Sequence, residues 1–222
     1  MKSIRCQDTN EVAQKTVELM ASHARCVTGL LKAFLPTGRT PTPVYKELVK
    51  QKDFWAQRLS PIQIDEFIDP RRLFFTQLRE QVLLPLCVEA RAKVIDPAWT
   101  DAEMLAHVED VISEGIHVSL LGLGPNGHIG FHEPSRNGSG FTGGRVVIAD
   151  ETRDRVPGAT TNDVYTFGAG AFLRAEKIIM VVIGSEKAAI LKKVMESEPT
   201  PLIPGTLLKT HDDFTIITDI EP

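Results

Sequence analysis

The stretch Leu120-Leu121-Gly122-Leu123-Gly124-Pro125-Asn126-Gly127-His128-Ile129-Gly130-Phe131-His132-Glu133-Pro134 decides how this chain is read. A largely apolar run from Ile116 leads into it, so it starts as a buried strand. It then breaks into a loop carrying glycines, an amide, two histidines and a carboxylate. Open α/β sheets place ligands where strands end in Gly-rich loops. Glycine lets the backbone approach a ligand closely, and a histidine there moves protons near neutral pH.

Two other chemistries fit parts of this loop and fail on the rest. Gly122, Gly124 and Gly127 have dinucleotide spacing, and Asp150 ends the apolar run Val146-Val147-Ile148-Ala149 at a suitable distance. That fingerprint needs a helix after the third glycine to hold a pyrophosphate. Gly130, Pro134, Gly138, Gly140, Gly143 and Gly144 follow instead, and such a composition sustains no helix. His128 and His132, four apart beside Glu133, suggest a metal only if helical. Their order matches neither H-E-x-x-H nor H-x-x-E-H, so they read as two histidines in a polar loop without a metal.

The 222 residues suffice for a single domain spanning 1–222, and 42% apolar with 24% charged residues is ordinary for a soluble protein. The 25 basic and 29 acidic residues are interspersed, and the net charge is -4. No clustered basic surface marks a nucleic-acid partner. Arg71-Arg72 and Lys192-Lys193 read as solvated helix faces. Cys6, Cys26 and Cys87 form no paired spacing and read as reduced, mostly buried thiols of a cytoplasmic protein. Met1 to Asp8 carries no hydrophobic signal, and the longest aliphatic run, Ile178 to Ile183, is too short for a bilayer. No membrane partner is expected.

Asp8-x-x-Glu11 resembles a capping box opening a helix from about Thr9 to Arg25. Helices are further predicted over 42–50, 71–84, 101–113 and 168–174, and over 186–196 with Ser185 as cap. Strands are predicted over 30–35, 63–68, 116–121, 146–149, 178–183 and 214–218. Alternating helices and apolar strands predict a three-layer α/β/α fold, Rossmann-like, around a mainly parallel sheet.

Leu35-Pro36-Thr37-Gly38-Arg39-Thr40-Pro41 joins a strand to a helix and offers N–H groups, hydroxyls and a guanidinium to an anion. Gly184-Ser185-Glu186-Lys187 repeats the arrangement, and the two turns should converge at one sheet edge. Asp65-Glu66 sits at the end of a third strand. With His128 and Glu133 these residues suit proton transfer on a sugar phosphate.

From about Leu35 to Asp219 the chain resembles the glucosamine-6-phosphate deaminase (isomerase) family, whose superfamily also contains 6-phosphogluconolactonase. Leu35-Pro36-Thr37-Gly38-x-Thr40-Pro41 resembles its phosphate loop, and Ile64-Asp65-Glu66-Phe67 its acidic segment. Gly127-His128-Ile129-Gly130-Phe131-His132-Glu133-Pro134 resembles its signature, and Thr152-Arg153, Thr166-Phe167-Gly168 and Gly184-x-x-Lys187-Ala188 resemble later segments. Ile129, Glu133 and Phe67 favour the deaminase side over the lactonase side.

The resemblance implies an aldose–ketose isomerisation with loss of ammonia from a phosphorylated amino sugar, without metal or organic cofactor. Asp65 would move the proton between C2 and C1, and His128 would open the sugar ring. Glu133 would orient and charge-balance His128. Thr37, Gly38, Arg39, Thr40 and Lys187 would hold the phosphate, with Glu66 and Gly127 also facing substrate. Asn126 stands where many members carry an acid. Arg136 or Arg145 would supply a further phosphate contact. The short stretch from Arg153 to Val164 implies no effector site. The glucosamine or galactosamine epimer stays open, as does homo-oligomerisation.

Overall fold

The structure, a computed structural model, describes residues 1–51, 54–134 and 137–221. Arg136 lies outside them. The described strands are β1 (Lys2–Arg5), β2 (Leu31–Leu35), β3 (Leu59–Gln63), β4 (Asp65–Phe67), β5 (Ile116–Gly122), β6 (Gly143–Val147), β7 (Asp163–Phe167), β8 (Ala175–Val182) and β9 (Phe214–Thr218). Six of them form a parallel sheet in the order β1-β9-β8-β5-β2-β3. A separate antiparallel sheet has the order β4-β7-β6.

Strand β8 shows why the large sheet is buried on both faces. Ile178, Met180 and Val182 enter one core, and Ile179 and Val181 enter the other. Successive side chains point to opposite faces, so a continuous apolar run demands cover on both. Part of that cover is the helix Thr9–Ala24, which buries Val12, Val17 and Met20 against the second core. Asp8 accepts the Glu11 N–H at 2.8 Å and sets where this helix begins. Among the described residues no helix is long and apolar enough to cross a membrane.

Several expectations are corrected. The segment 63–68 is not one strand: β3 ends at Gln63, and β4 starts at Asp65 in the other sheet. The Gln63 side-chain amide donates to the Asp65 carbonyl at 2.9 Å across this break. The helix expected over 71–84 begins at Leu73, because Arg72 has a left-handed φ of 51°. It passes into a π-helical turn, Arg79–Leu83, just before Pro85. Proline supplies no N–H to the turn below and crowds its carbonyl, so the wider spacing relieves the conflict. Ser185 makes no side-chain cap; a 3-10 turn, Ser185–Lys187, leads into the helix Ala188–Glu196. Cys6 is buried, but Cys26 and Cys87 are exposed. Strands β1 and β7 were not among the expected elements.

Candidate active site

The C-terminal ends of β2, β5 and β8 open onto one cleft, as a parallel sheet dictates. Its inner part, about 200 Å³, is lined by Thr37, Thr40, Asp65, His128, Arg155 and Lys187, among others. Gly38, Thr40, Phe74, Arg155, Val156 and Lys187 also line a wider outer chamber of about 770 Å³ that includes Arg39.

Asp65 does not end a strand but opens one: it is 7% exposed at the first position of β4. Its Oδ1 is buried and has no hydrogen-bond partner among the described residues. Burial, then the charge of neighbouring Glu66, raises its pKa to about 8, while the Thr37 hydroxyl opposes the shift by favouring the ionised form. An unpartnered carboxyl oxygen beside a cleft costs stability, and functional sites are where such groups persist.

His128 lies half-buried across the cleft. A Cβ at Gly124 would stand 2.2 Å from the imidazole Nε2, so only glycine lets the ring lie over this backbone. The Asn126 Oδ1 accepts the His128 backbone N–H at 3.2 Å and lies 2.7 Å from ring Nδ1. One oxygen accepting both bonds puts the ring proton on Nδ1 and leaves Nε2 as a free base. Burial first, then Lys187 and Arg155, bring the His128 pKa down to about 4. Asn126 thus acts on the ring from outside the cleft lining.

Glu133 is expected to orient His128, but among the described residues no hydrogen bond joins the two. The Glu133 carboxylate accepts the Thr152 hydroxyl and, at 3.1 Å, the Ala149 N–H. The reason is position: Glu133 is buried beneath the loop, where it ties the loop to the start of the helix Asp150–Arg153. His132 is not in a polar loop either. It is fully buried, and its Nδ1 accepts the Ala169 N–H at 3.1 Å. The two histidines therefore face different surroundings.

The two anion-like turns do converge: Lys187 Nζ donates to Thr40 Oγ1 at 2.9 Å. Burial lowers the Lys187 pKa. Lys187, Arg155 and Arg39 form no ion pair among the described residues. Arg155 is the site residue that sequence reasoning missed. One arginine in the charged segment Glu151 to Arg155 carries no signal of its own, and its neighbour Arg153 turns outward to Asp150 and Asp154. Arg145 is not a cleft residue; on β6 it pairs with Asp163 at 2.7 Å.

Three expected substrate contacts are redirected. Gly127, at φ +90°, gives its N–H to Gly124 and accepts the Gly205 N–H at 2.8 Å, so it shapes the turn rather than facing the cleft. Gly38 lines the cleft, but its N–H is donated to Gln77 Oε1 at 3.1 Å. Glu66 is fully buried and accepts N–H groups from Phe67 at 3.0 Å, Phe74 at 3.2 Å, Phe75 at 2.8 Å and the Gln63 amide at 3.1 Å. It caps a helix instead of binding substrate. Glu66→Ala is expected to destabilise the fold by about 3 kcal/mol, because those buried donors lose their acceptor. A urea unfolding midpoint that stays at the parent value would refute this.

Comparison with known proteins follows the same lines. The family described as glucosamine-6-phosphate isomerases/6-phosphogluconolactonase matches residues 7–217. A glucosamine-6-phosphate deaminase of Corynebacterium efficiens is 30% identical over 96% of this chain and 89% of its own. One from Listeria monocytogenes is 31% identical over 84% of each chain. Among solved structures, a monomeric glucosamine-6-phosphate deaminase superposes with a TM-score of 0.88 at 24% identity, covering 98% of this chain and 97% of that one. The 6-phosphogluconolactonase of Thermotoga maritima gives 0.76 at 18% identity, covering 97% and 96%. These last two likenesses concern the fold.

Proposed function

The chain belongs to the glucosamine-6-phosphate isomerase/6-phosphogluconolactonase family, and from that premise we propose that it converts a 2-amino-2-deoxyhexose 6-phosphate and water into the ketose 6-phosphate and ammonia. Glucosamine 6-phosphate is the leading substrate and its galactosamine epimer the second. The observation that carries the reading is one cleft holding Asp65, one of whose carboxyl oxygens has no partner among the described residues, and a neutral imidazole, His128, beside the cations Lys187 and Arg155, which form no ion pair there. The protein works as one isomerase-like domain and needs no cofactor, because the sugar's own carbonyl and imine accept the electron pair.

The proton steps balance as follows. His128 Nε2 takes the proton from the anomeric hydroxyl and returns one to the ring oxygen, which opens the ring to an aldehyde. Ionised Asp65 takes the proton from C2 of the neutral amine while O1 gains a proton from solvent, giving an enolamine; Asp65 then returns its proton at C1, leaving a C2 iminium. Water adds to C2, and ammonia leaves. Lys187, Arg155, Arg39 and Thr40 hold the phosphate throughout, so its binding energy positions the reacting carbon. Asn126 keeps Nε2 free.

Lactone hydrolysis, for which solved neighbours are named, is the alternative reading. The test is to follow ammonia release from glucosamine and galactosamine 6-phosphates, and loss of 6-phosphogluconolactone, across pH. The proposal expects ammonia release. It also expects kcat/KM to rise with pH and level off above about 8, as Asp65 ionises in the free protein. Over that range His128, at about 4, stays neutral. Lactone loss without ammonia would overturn the reading.

A further inference from the structure

The helix Leu73–Leu78 has no cap of its own: Arg72, just before it, makes no side-chain hydrogen bond to its free N–H groups. Glu66, next to Asp65 in β4, takes the Phe74 and Phe75 N–H groups instead. From the same helix Gln77 reaches Gly38. It accepts the Gly38 N–H at 3.1 Å and donates to the Gly38 carbonyl at 2.7 Å. Thr42 Oγ1 adds a bond to that carbonyl at 3.2 Å. Gly38 itself stands between Thr37, beside the Asp65 carboxyl, and Arg39, in the outer chamber. One short helix thus ties the strand bearing the carboxyl to the turn bearing the anion donors.

We propose that Gln77 is a positioning residue that fixes the distance between the Asp65 carboxyl and the phosphate seat, and thereby selects sugars whose phosphate stands at that one distance from the reacting carbon. This rests on the amino sugar phosphate reading above. Phosphate binding helps the chemistry at C2 only when both ends of the substrate are held at a fixed separation. Gly38 has φ +93°, where glycine moves easily between conformations. Rotation of its peptide would swing Arg39 and Thr40 away from Lys187. Gln77 engages both polar groups of Gly38 and blocks that rotation. The same clamp occupies the Gly38 N–H, so that group is not offered to an anion.

The test is Gln77→Met, which keeps length and apolar contact but holds neither Gly38 group. The Gly38 amide is expected to exchange with solvent at least about tenfold faster, and the Kd for inorganic phosphate to rise about tenfold. With glucosamine 6-phosphate, kcat/KM is expected to fall at least about tenfold, through kcat as well as KM, because the reacting carbon loses its fixed place against Asp65, while any turnover of unphosphorylated glucosamine, which does not engage the seat, should match the parent's. Gln77→Glu keeps the acceptor for the Gly38 N–H and loses the donor, so its losses should be intermediate. Parent-like Gly38 exchange and phosphate binding in a folded Gln77→Met protein would overturn the proposal, as would equal losses on both sugars. If the parent releases no ammonia from any amino sugar phosphate, the functional reading fails. Amide exchange and phosphate binding then still decide the clamp.

Discussion

Asp65→Asn is expected to lower turnover by about two orders of magnitude or more and, in the same protein, to raise stability near pH 8. The first effect follows from chemistry: an amide cannot accept the C2 proton, and loss of a positioned general base costs roughly that much. The second follows from linkage. The folded-state pKa of Asp65, about 8, lies above its ordinary value of 3.8. The folded protein therefore holds a proton that the unfolded chain releases as pH rises from 3.8 toward 8. The stability tied to that proton is fully present below 3.8 and is lost as pH rises through about 8. Asparagine does not titrate, so the variant escapes the loss. The gain should be on the order of 1 kcal/mol at pH 8 and should fade at pH 4. Melting temperatures at the two pH values check this. A variant less stable than the parent at pH 8 would mean that the carboxyl is structural.

Lys187→Met is expected to raise KM for the phosphorylated sugar by about one to two orders of magnitude. Lys187 is half-buried, touches Thr40 and, although the Glu186 charge lies near, forms no ion pair among the described residues, so its charge is left for an anion. A charge-assisted bond to phosphate in such a setting is about twice as strong as a neutral one. Arg39→Ala should cost less, since Arg39 is exposed and solvent screens it. Removing Lys187 should also let the His128 pKa rise, because that ammonium is one of the groups holding it down. Steady-state kinetics beside a histidine NMR titration reads both. An unchanged KM in the folded variant would remove Lys187 from the phosphate seat.

The sheet was legible because β5 is largely apolar and β8 ends in the continuous apolar run 178–182, patterns with few other solutions. Strand β1 was not, since its four residues are mostly exposed and polar at an edge. The cleft could be read as far as residues sit at strand ends: Asp65, His128, Thr40 and Lys187 meet where β4, β5, β2 and β8 end or begin. Partners brought in by tertiary contact were invisible. Nothing in the chain tells that Glu66 faces a helix start while adjacent Asp65 faces the cleft; the strand's alternation fixes it only once its sheet is known. The place of Glu133 was hidden for the same reason. Two residues from His128, Asn126 reaches the ring within the turn, whereas Glu133 is carried under the loop to Thr152.

The most direct test of the account follows hydrogen at C2. Glucosamine 6-phosphate is incubated in deuterated buffer with the parent and with Asp65→Asn, and deuterium at C2 of recovered substrate and at C1 of product is measured. The parent should place solvent deuterium at these carbons as it turns over, and the variant should do so at least about a hundredfold more slowly while binding the substrate as the parent does. Exchange at the parent rate in Asp65→Asn would contradict the assignment of Asp65 as the base.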